Sequence, residues 1–144
     1  MTTARDLMHP CPTVAESDTV SHLVAQMAGH DSSVLAVLDA KGRLSGIVTE
    51  FDLVRLIYES GEYEVNEVVG GRLPTYLGYT PEQLKALTAG EIMTNDPETV
   101  APDTTVNDVA EALFRNRRKV LLVAEKGQVL GVVRRLDLVR RVLG

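Results

Sequence analysis

Apolar positions follow two periods along the chain, and each period predicts an element. Val20, Leu23, Val24 and Met27 recur at helical spacing behind the N-cap candidates Ser17, Asp18 and Thr19, which predicts an amphipathic helix with Gly29 as its C-cap. Val34–Leu38 is a continuous apolar run too short for a helix and reads as a buried strand. Asp39-Ala40-Lys41-Gly42 is a turn and Leu44–Val48 a second strand, so the pair forms a hairpin. The stretch Gly46-Ile47-Val48-Thr49-Glu50-Phe51-Asp52-Leu53 then empties a strand directly into a helix, with Leu53, Leu56 and Ile57 on one face. Upstream, a helical turn near Arg5–Met8 precedes His9-Pro10-Cys11-Pro12, whose prolines force an extended path into a short strand at Thr13–Ala15.

The whole pattern is written twice. Ala4 to Ile57 aligns with Ala89 to Val142 at a nearly constant offset, pairing Met8 with Met93, Val34-Leu35 with Val120-Leu121, and Asp52-Leu53-Val54-Arg55 with Asp137-Leu138-Val139-Arg140. Each copy reads strand, helix, strand, strand, helix, which predicts an α/β (α+β) fold whose first crossover joins parallel strands in the right-handed sense. A copy of about 55 residues cannot cover both faces of its own sheet, so two copies are expected to pack sheet to sheet. The expected boundaries are residues 1–60 for the first repeat, 61–88 for a partly helical linker and 89–144 for the second repeat. Within the linker, the run Glu59–Glu64 is acidic and expected to be exposed, and Gly70-Gly71 is a turn or hinge. Thr80-Pro81-Glu82-Gln83 starts a helix running to about Leu87, and Tyr63, Tyr76 and Tyr79 are gathered in the same segment.

Composition narrows the function classes. A chain of 144 residues with 44% hydrophobic and 24% charged residues suits a globular protein. Its formal net charge of −5 argues against a nucleic-acid or anionic-membrane partner. One cysteine, Cys11, allows no disulfide within the chain. With no signal-like start and no apolar run of about 18 residues, the expected setting is the cytoplasm, with no membrane contact. His9, Cys11, His22 and His30 lack metal-ligand spacing, and no nucleophilic triad, P-loop or dinucleotide glycine motif is present, so neither metal binding nor catalysis is expected.

The candidate chemistry lies where strand becomes helix. A helix N-terminus offers unpaired N–H groups and partial positive charge to an anion, and an Asp just past the turn can accept hydrogen bonds from a ribose diol. Thr49-x-x-Asp52 equally fits a capping box. In the second copy Arg134 replaces the hydroxyl while Asp137 stays, which points beyond capping. Arg115-Asn116-Arg117-Arg118-Lys119, opposite Gly29-His30-Asp31-Ser32-Ser33 in the first copy, places four cations within five residues. Such a run is either a solvated helix end or a local anion site.

The doubled order of helical turn, Pro-x-Thr-Val-like strand, amphipathic helix, glycine hairpin and Gly-h-h-Thr-x-x-Asp-Leu resembles a tandem CBS-domain pair, the Bateman module. The resemblance implies a pseudo-twofold module whose clefts bind adenosine-containing ligands such as AMP, ADP, ATP, S-adenosylmethionine or a dinucleotide. It would place Asp52 and Asp137 on ribose and Thr49 on phosphate. Thr13, Val14, Ile47, Thr99, Val100 and Val132 would line the base pockets, with basic Arg117, Arg118 and Lys119 over phosphate. Two departures stand out. Arg134 replaces the family's Ser or Thr, and either adds charge for a polyphosphate or fills the cleft. The strand that often begins Leu-Pro-Val reads Leu35-Ala36-Val37 and Leu121-Leu122-Val123. The expected function is a non-catalytic, stand-alone regulatory module for an adenine nucleotide. Two further readings are a ligand-free homodimeric interaction scaffold and, against the net charge, nucleic-acid binding through the Arg-rich segments.

Overall fold

The structure is a computed structural model that describes residues 1–62, 75–76 and 80–144, with side chains over 1–58 and 80–144. The expected exposure of the acidic run, the Gly70-Gly71 hinge, and the Tyr63, Tyr76 and Tyr79 side chains lie outside the described residues. The chain begins with α1 (Ala4–Leu7), β1 (Thr13–Ala15), α2 (Val20–His30), β2 (Val34–Leu38), β3 (Leu44–Thr49) and α3 (Glu50–Ser60). Next come β4 (Gly61–Glu62), β5 (Thr75–Tyr76), α4 (Pro81–Ala86), α5 (Ala89–Ile92) and β6 (Thr94–Asn95). The second repeat continues with β7 (Thr99–Val100), α6 (Val106–Arg115), β8 (Val120–Glu125), β9 (Gln128–Arg134) and α7 (Arg135–Leu143). Among the described residues, no helix is long and apolar enough to cross a membrane.

These elements form two compact units, and the units are not the sequence repeats. One comprises Pro12–Ala40 and Ser45–Asn95; the other comprises Met1–Cys11, Lys41–Leu44 and Asp96–Gly144. In the first, the strands run in the order β1-β2-β3-β6, with β1 parallel to β2 and β6 antiparallel to β3 through Gly46↔Asn95 and Ile47↔Thr94. Its core is Val14, Val20, Leu23, Met27, Leu35, Val37 and Val48, closed by Ala89. In the second, the order is β7-β8-β9, with β7 parallel to β8 and β8 antiparallel to β9. Its core is Val109, Leu113, Leu121, Val123 and Val133, closed by Ala4 and Leu7.

Each unit is thus completed by the leading turn of the other repeat. Helix α5 is held in the first unit by Ala89 N–H donating to Asp18 O at 2.8 Å and Gly90 N–H to Glu16 O at 2.9 Å. Helix α1 is held in the second by Ala4 N–H donating to Thr104 O at 2.8 Å and Arg5 N–H to Pro102 O at 2.9 Å. The segment after α1 then exchanges both backbone bonds with β9, His9 N–H to Val132 O at 2.9 Å and Val132 N–H to His9 O at 2.8 Å.

Local chemistry accounts for most element ends. Thr19 and Thr105 cap α2 and α6 by accepting from His22 N–H and Asp108 N–H. Thr80, Pro81 and Gln83 build the expected box at the start of α4. One end differs from expectation: α2 continues through Gly29 to His30, and Asp31 takes the left-handed position at φ 49°. Aspartate tolerates that region better than most residues, so Gly29 is free to remain helical.

The glycines separate local from tertiary constraint. A methyl group at Gly131 would lie 2.6 Å from His9 O and 3.1 Å from Met8 Cβ, against backbone that cannot yield. Gly131→Ala should therefore lower stability by about 1–3 kcal/mol in urea unfolding. At Gly29, where an added Cβ meets nothing within 4 Å, the same substitution should raise stability by about 0.5–1 kcal/mol.

Candidate functional site

Both helix-start acids are built into caps. In the first unit, Asp52 Oδ2 accepts from Thr49 N–H at 2.8 Å and Thr49 Oγ1 at 3.1 Å, while Asp52 N–H donates to Thr49 Oγ1 at 3.2 Å. Its Oδ1 accepts one long bond, 3.4 Å from Thr94 Oγ1, and has Arg55 Nη2 at 3.8 Å. Asp52 is 7% exposed and is the one buried charged residue among those described.

The second unit keeps this frame but changes the donors. Asp137 Oδ2 accepts from Arg134 N–H at 2.8 Å and Arg134 Nε at 3.2 Å. Its Oδ1 accepts from Arg134 Nη2 at 3.1 Å and lies 2.7 Å from His9 Nε2. Asp137 thus makes a cap without a hydroxyl at 134, because the backbone N–H of residue 134 is the group being satisfied. Burial pushes the Asp137 carboxyl up, but bonds from the Arg134 side chain and backbone and from His9 outweigh it and hold it below its ordinary value. The same bond raises the Arg134 guanidinium.

The sequence pattern points to no role for His9 beyond a metal-ligand spacing that does not fit. Its signal was the repeat alignment, in which it occupies the position of Thr94; both side chains reach Oδ1 of their unit's acid. Among the described residues no group of three or more His, Cys, Asp or Glu gathers to hold a metal ion.

The other named positions divide by side-chain direction. Val14 is 5% exposed and belongs to the core, and Val100 packs against the core of its own unit. What β1 and β7 leave exposed is therefore Thr13, Ala15 and Thr99 rather than the valines. Ile47 is half-buried beside Thr94, and Val132 is buried beside His9. In the basic run, Arg115 pairs with Glu111 at 2.9 Å and Arg118 with Glu98 at 3.0 Å. Arg117, at φ 50°, and Lys119 are exposed and make no side-chain ion pair among the described residues. Arg135 fixes this turn by donating to Arg118 O at 2.7 Å and Arg117 O at 3.0 Å.

Comparison with known proteins places this architecture. The CBS-domain family model matches twice, over residues 4–59 and 89–144. The chain therefore belongs to the CBS-domain family, as two tandem repeats in a mixed α+β fold. Its fold is similar to the crystal structure of CBSX2 in complex with AMP, with TM-score 0.76 and 24% identity over 99% of this chain and 97% of that one. It is also similar to the CBS domain of a CBS-domain-containing membrane protein from Sphaerobacter thermophilus, at TM-score 0.72 and 30% identity over 97% and 87% of the two chains. Among curated sequences it is 27% identical over 139 residues to arabinose 5-phosphate isomerase KpsF of Escherichia coli O6:H1, covering 95% of this chain. The chain spans 36% of that isomerase's length.

The lowered Asp137 value sets a pH window. A carboxyl depressed on folding adds stability that is present above its unfolded value, about 3.9, and is lost as pH falls through the folded value. Asp137→Asn should therefore cost about 1.5–3 kcal/mol near neutral pH, the scale of a hydrogen bond to a charged group. The gap to the native protein should narrow in urea titrations below about pH 4.

Proposed function

We propose that the chain is a non-catalytic regulatory module that binds an adenine nucleotide, AMP, ADP or ATP, with S-adenosylmethionine as a further adenosine-bearing candidate. The observation that carries this reading is the Asp52 carboxylate. It is held in place by Thr49, and its Oδ1 keeps acceptor capacity beyond one long bond. A fixed, partly unsatisfied carboxylate at a helix start is suited to a ribose diol. In the same unit, the exposed Thr13 hydroxyl and the half-buried Ile47 are the remaining candidates for contact. The AMP complex of CBSX2 supports the same ligand class through the shared fold. The proposed setting is the cytoplasm, and the regulated partner is a protein whose activity the bound nucleotide would alter.

Asp52→Ala should weaken nucleotide binding by about 10- to 150-fold, the equivalent of one hydrogen bond to a charged group. Isothermal titration calorimetry checks this; unchanged affinity would remove Asp52 from the site.

A second reading concerns assembly. Helix α3 exposes Phe51, Val54, Ile57 and Tyr58, and α7 exposes Leu136, Val139, Val142 and Leu143 at the repeat-equivalent positions. Singly exposed apolar residues are ordinary, but the same stripe on both closing helices supports a homodimer. Val54→Asp combined with Val139→Asp should convert a dimer to a monomer in multi-angle light scattering. A native protein that is already monomeric at high micromolar concentration would refute this reading.

A further inference from the structure

We infer that the two helix-start acids are not equivalent: Asp137 is closed by the chain's own Arg134 and His9, so each chain takes one nucleotide, at Asp52, and Arg134 and His9 together set this number. The inference rests on the nucleotide reading above and deepens it.

A carboxylate has about four acceptor positions on its two oxygens. At Asp137 all are taken, by Arg134 N–H, Nε and Nη2 and by His9 Nε2, at 2.7–3.2 Å. The Arg134 fork is charge-assisted and bidentate on that carboxylate. A ribose diol needs acceptors on that carboxylate and would have to displace the fork. Giving up two charge-assisted bonds weakens binding by about a hundredfold or more.

Asp52 presents a different balance. Thr49 occupies Oδ2, but Oδ1 meets only the Thr94 hydroxyl at 3.4 Å and the loosely placed Arg55 at 3.8 Å. A hydroxyl rotor can turn away at little cost, and it can also donate elsewhere. The difference between the units comes down to two substitutions at equivalent positions, Thr49 against Arg134 and Thr94 against His9. Both place a stronger, positively charged or potentially charged donor on the second acid.

The alternative role for Arg134, holding a polyphosphate, gives the opposite result on mutation. Calorimetry with ATP on the full chain separates the two. The native protein should bind one ATP per chain, Asp137→Asn should leave that stoichiometry and affinity within about twofold, and Asp52→Asn should weaken binding at least tenfold. Arg134→Thr combined with His9→Thr restores both hydroxyl donors found around Asp52 and should raise the stoichiometry to two. Two sites in the native protein, with one lost in Asp137→Asn, would overturn the inference while leaving the nucleotide reading intact. So would a protein carrying both substitutions, folded by circular dichroism, that still binds one ATP or binds it more weakly. If the double variant does not fold, the Asp137→Asn arm decides alone. Absence of binding by ATP, ADP and AMP to the native protein would overturn the nucleotide reading, and this assignment with it.

Discussion

Backbone pairing at one sheet edge organises each half of this molecule. Strand β3 in the first unit and β9 in the second each present an edge of N–H and C=O groups, and an unpaired edge is costly to bury and hazardous to expose. The first is covered by Thr94 and Asn95, the second by His9. Neither cover comes from the repeat that supplies the sheet. The turn ahead of each cover fills the remaining gap in the core, with Ala89 on one side and Ala4 with Leu7 on the other. Gly46 and Gly131 are required for the same reason: a side chain there would strike the covering backbone, 2.9 Å from Thr94 O in one case and 2.6 Å from His9 O in the other.

The exchange also assembles the candidate sites. By bringing residues 94 and 9 to the opposite repeat's edge, it carries their side chains onto Oδ1 of Asp52 and Asp137. The same backbone frame therefore surrounds two acids with different donors. In one unit a threonine pair holds the carboxylate and leaves part of it available. In the other, an arginine fork and a histidine saturate it. The capping geometry and the proposed ligand geometry are thus compatible uses of one group, since a cap that occupies Oδ2 orients Oδ1.

Charge is distributed with similar asymmetry. The turn between α6 and β8 has two of its cations neutralised by Glu98 and Glu111, and Arg135 pins the turn by its carbonyls. That leaves Arg117, Lys119 and Arg135 as local positive charge with no side-chain ion pair among the described residues, in a chain whose formal net charge is −5. The closing helices of both units turn apolar stripes outward, which neither core absorbs.

The sequence by itself determined the elements and their duplication. Helical spacing at Val20, Leu23 and Met27, the apolar run at Val34–Leu38 and the box at Thr80–Gln83 are local signals, and local signals decide local structure. It also located both acids at helix starts. It did not determine which unit each leading turn would join, because the two repeats share one pattern of elements and a four-residue turn carries no periodicity that tells them apart. Nor could Thr49-x-x-Asp52 reveal whether its acid is a cap, a ligand group or both, since the same atoms serve each role. Only the tertiary structure brought His9 to Asp137, because that contact joins residues whose proximity depends on the exchanged edge rather than on their spacing along the chain.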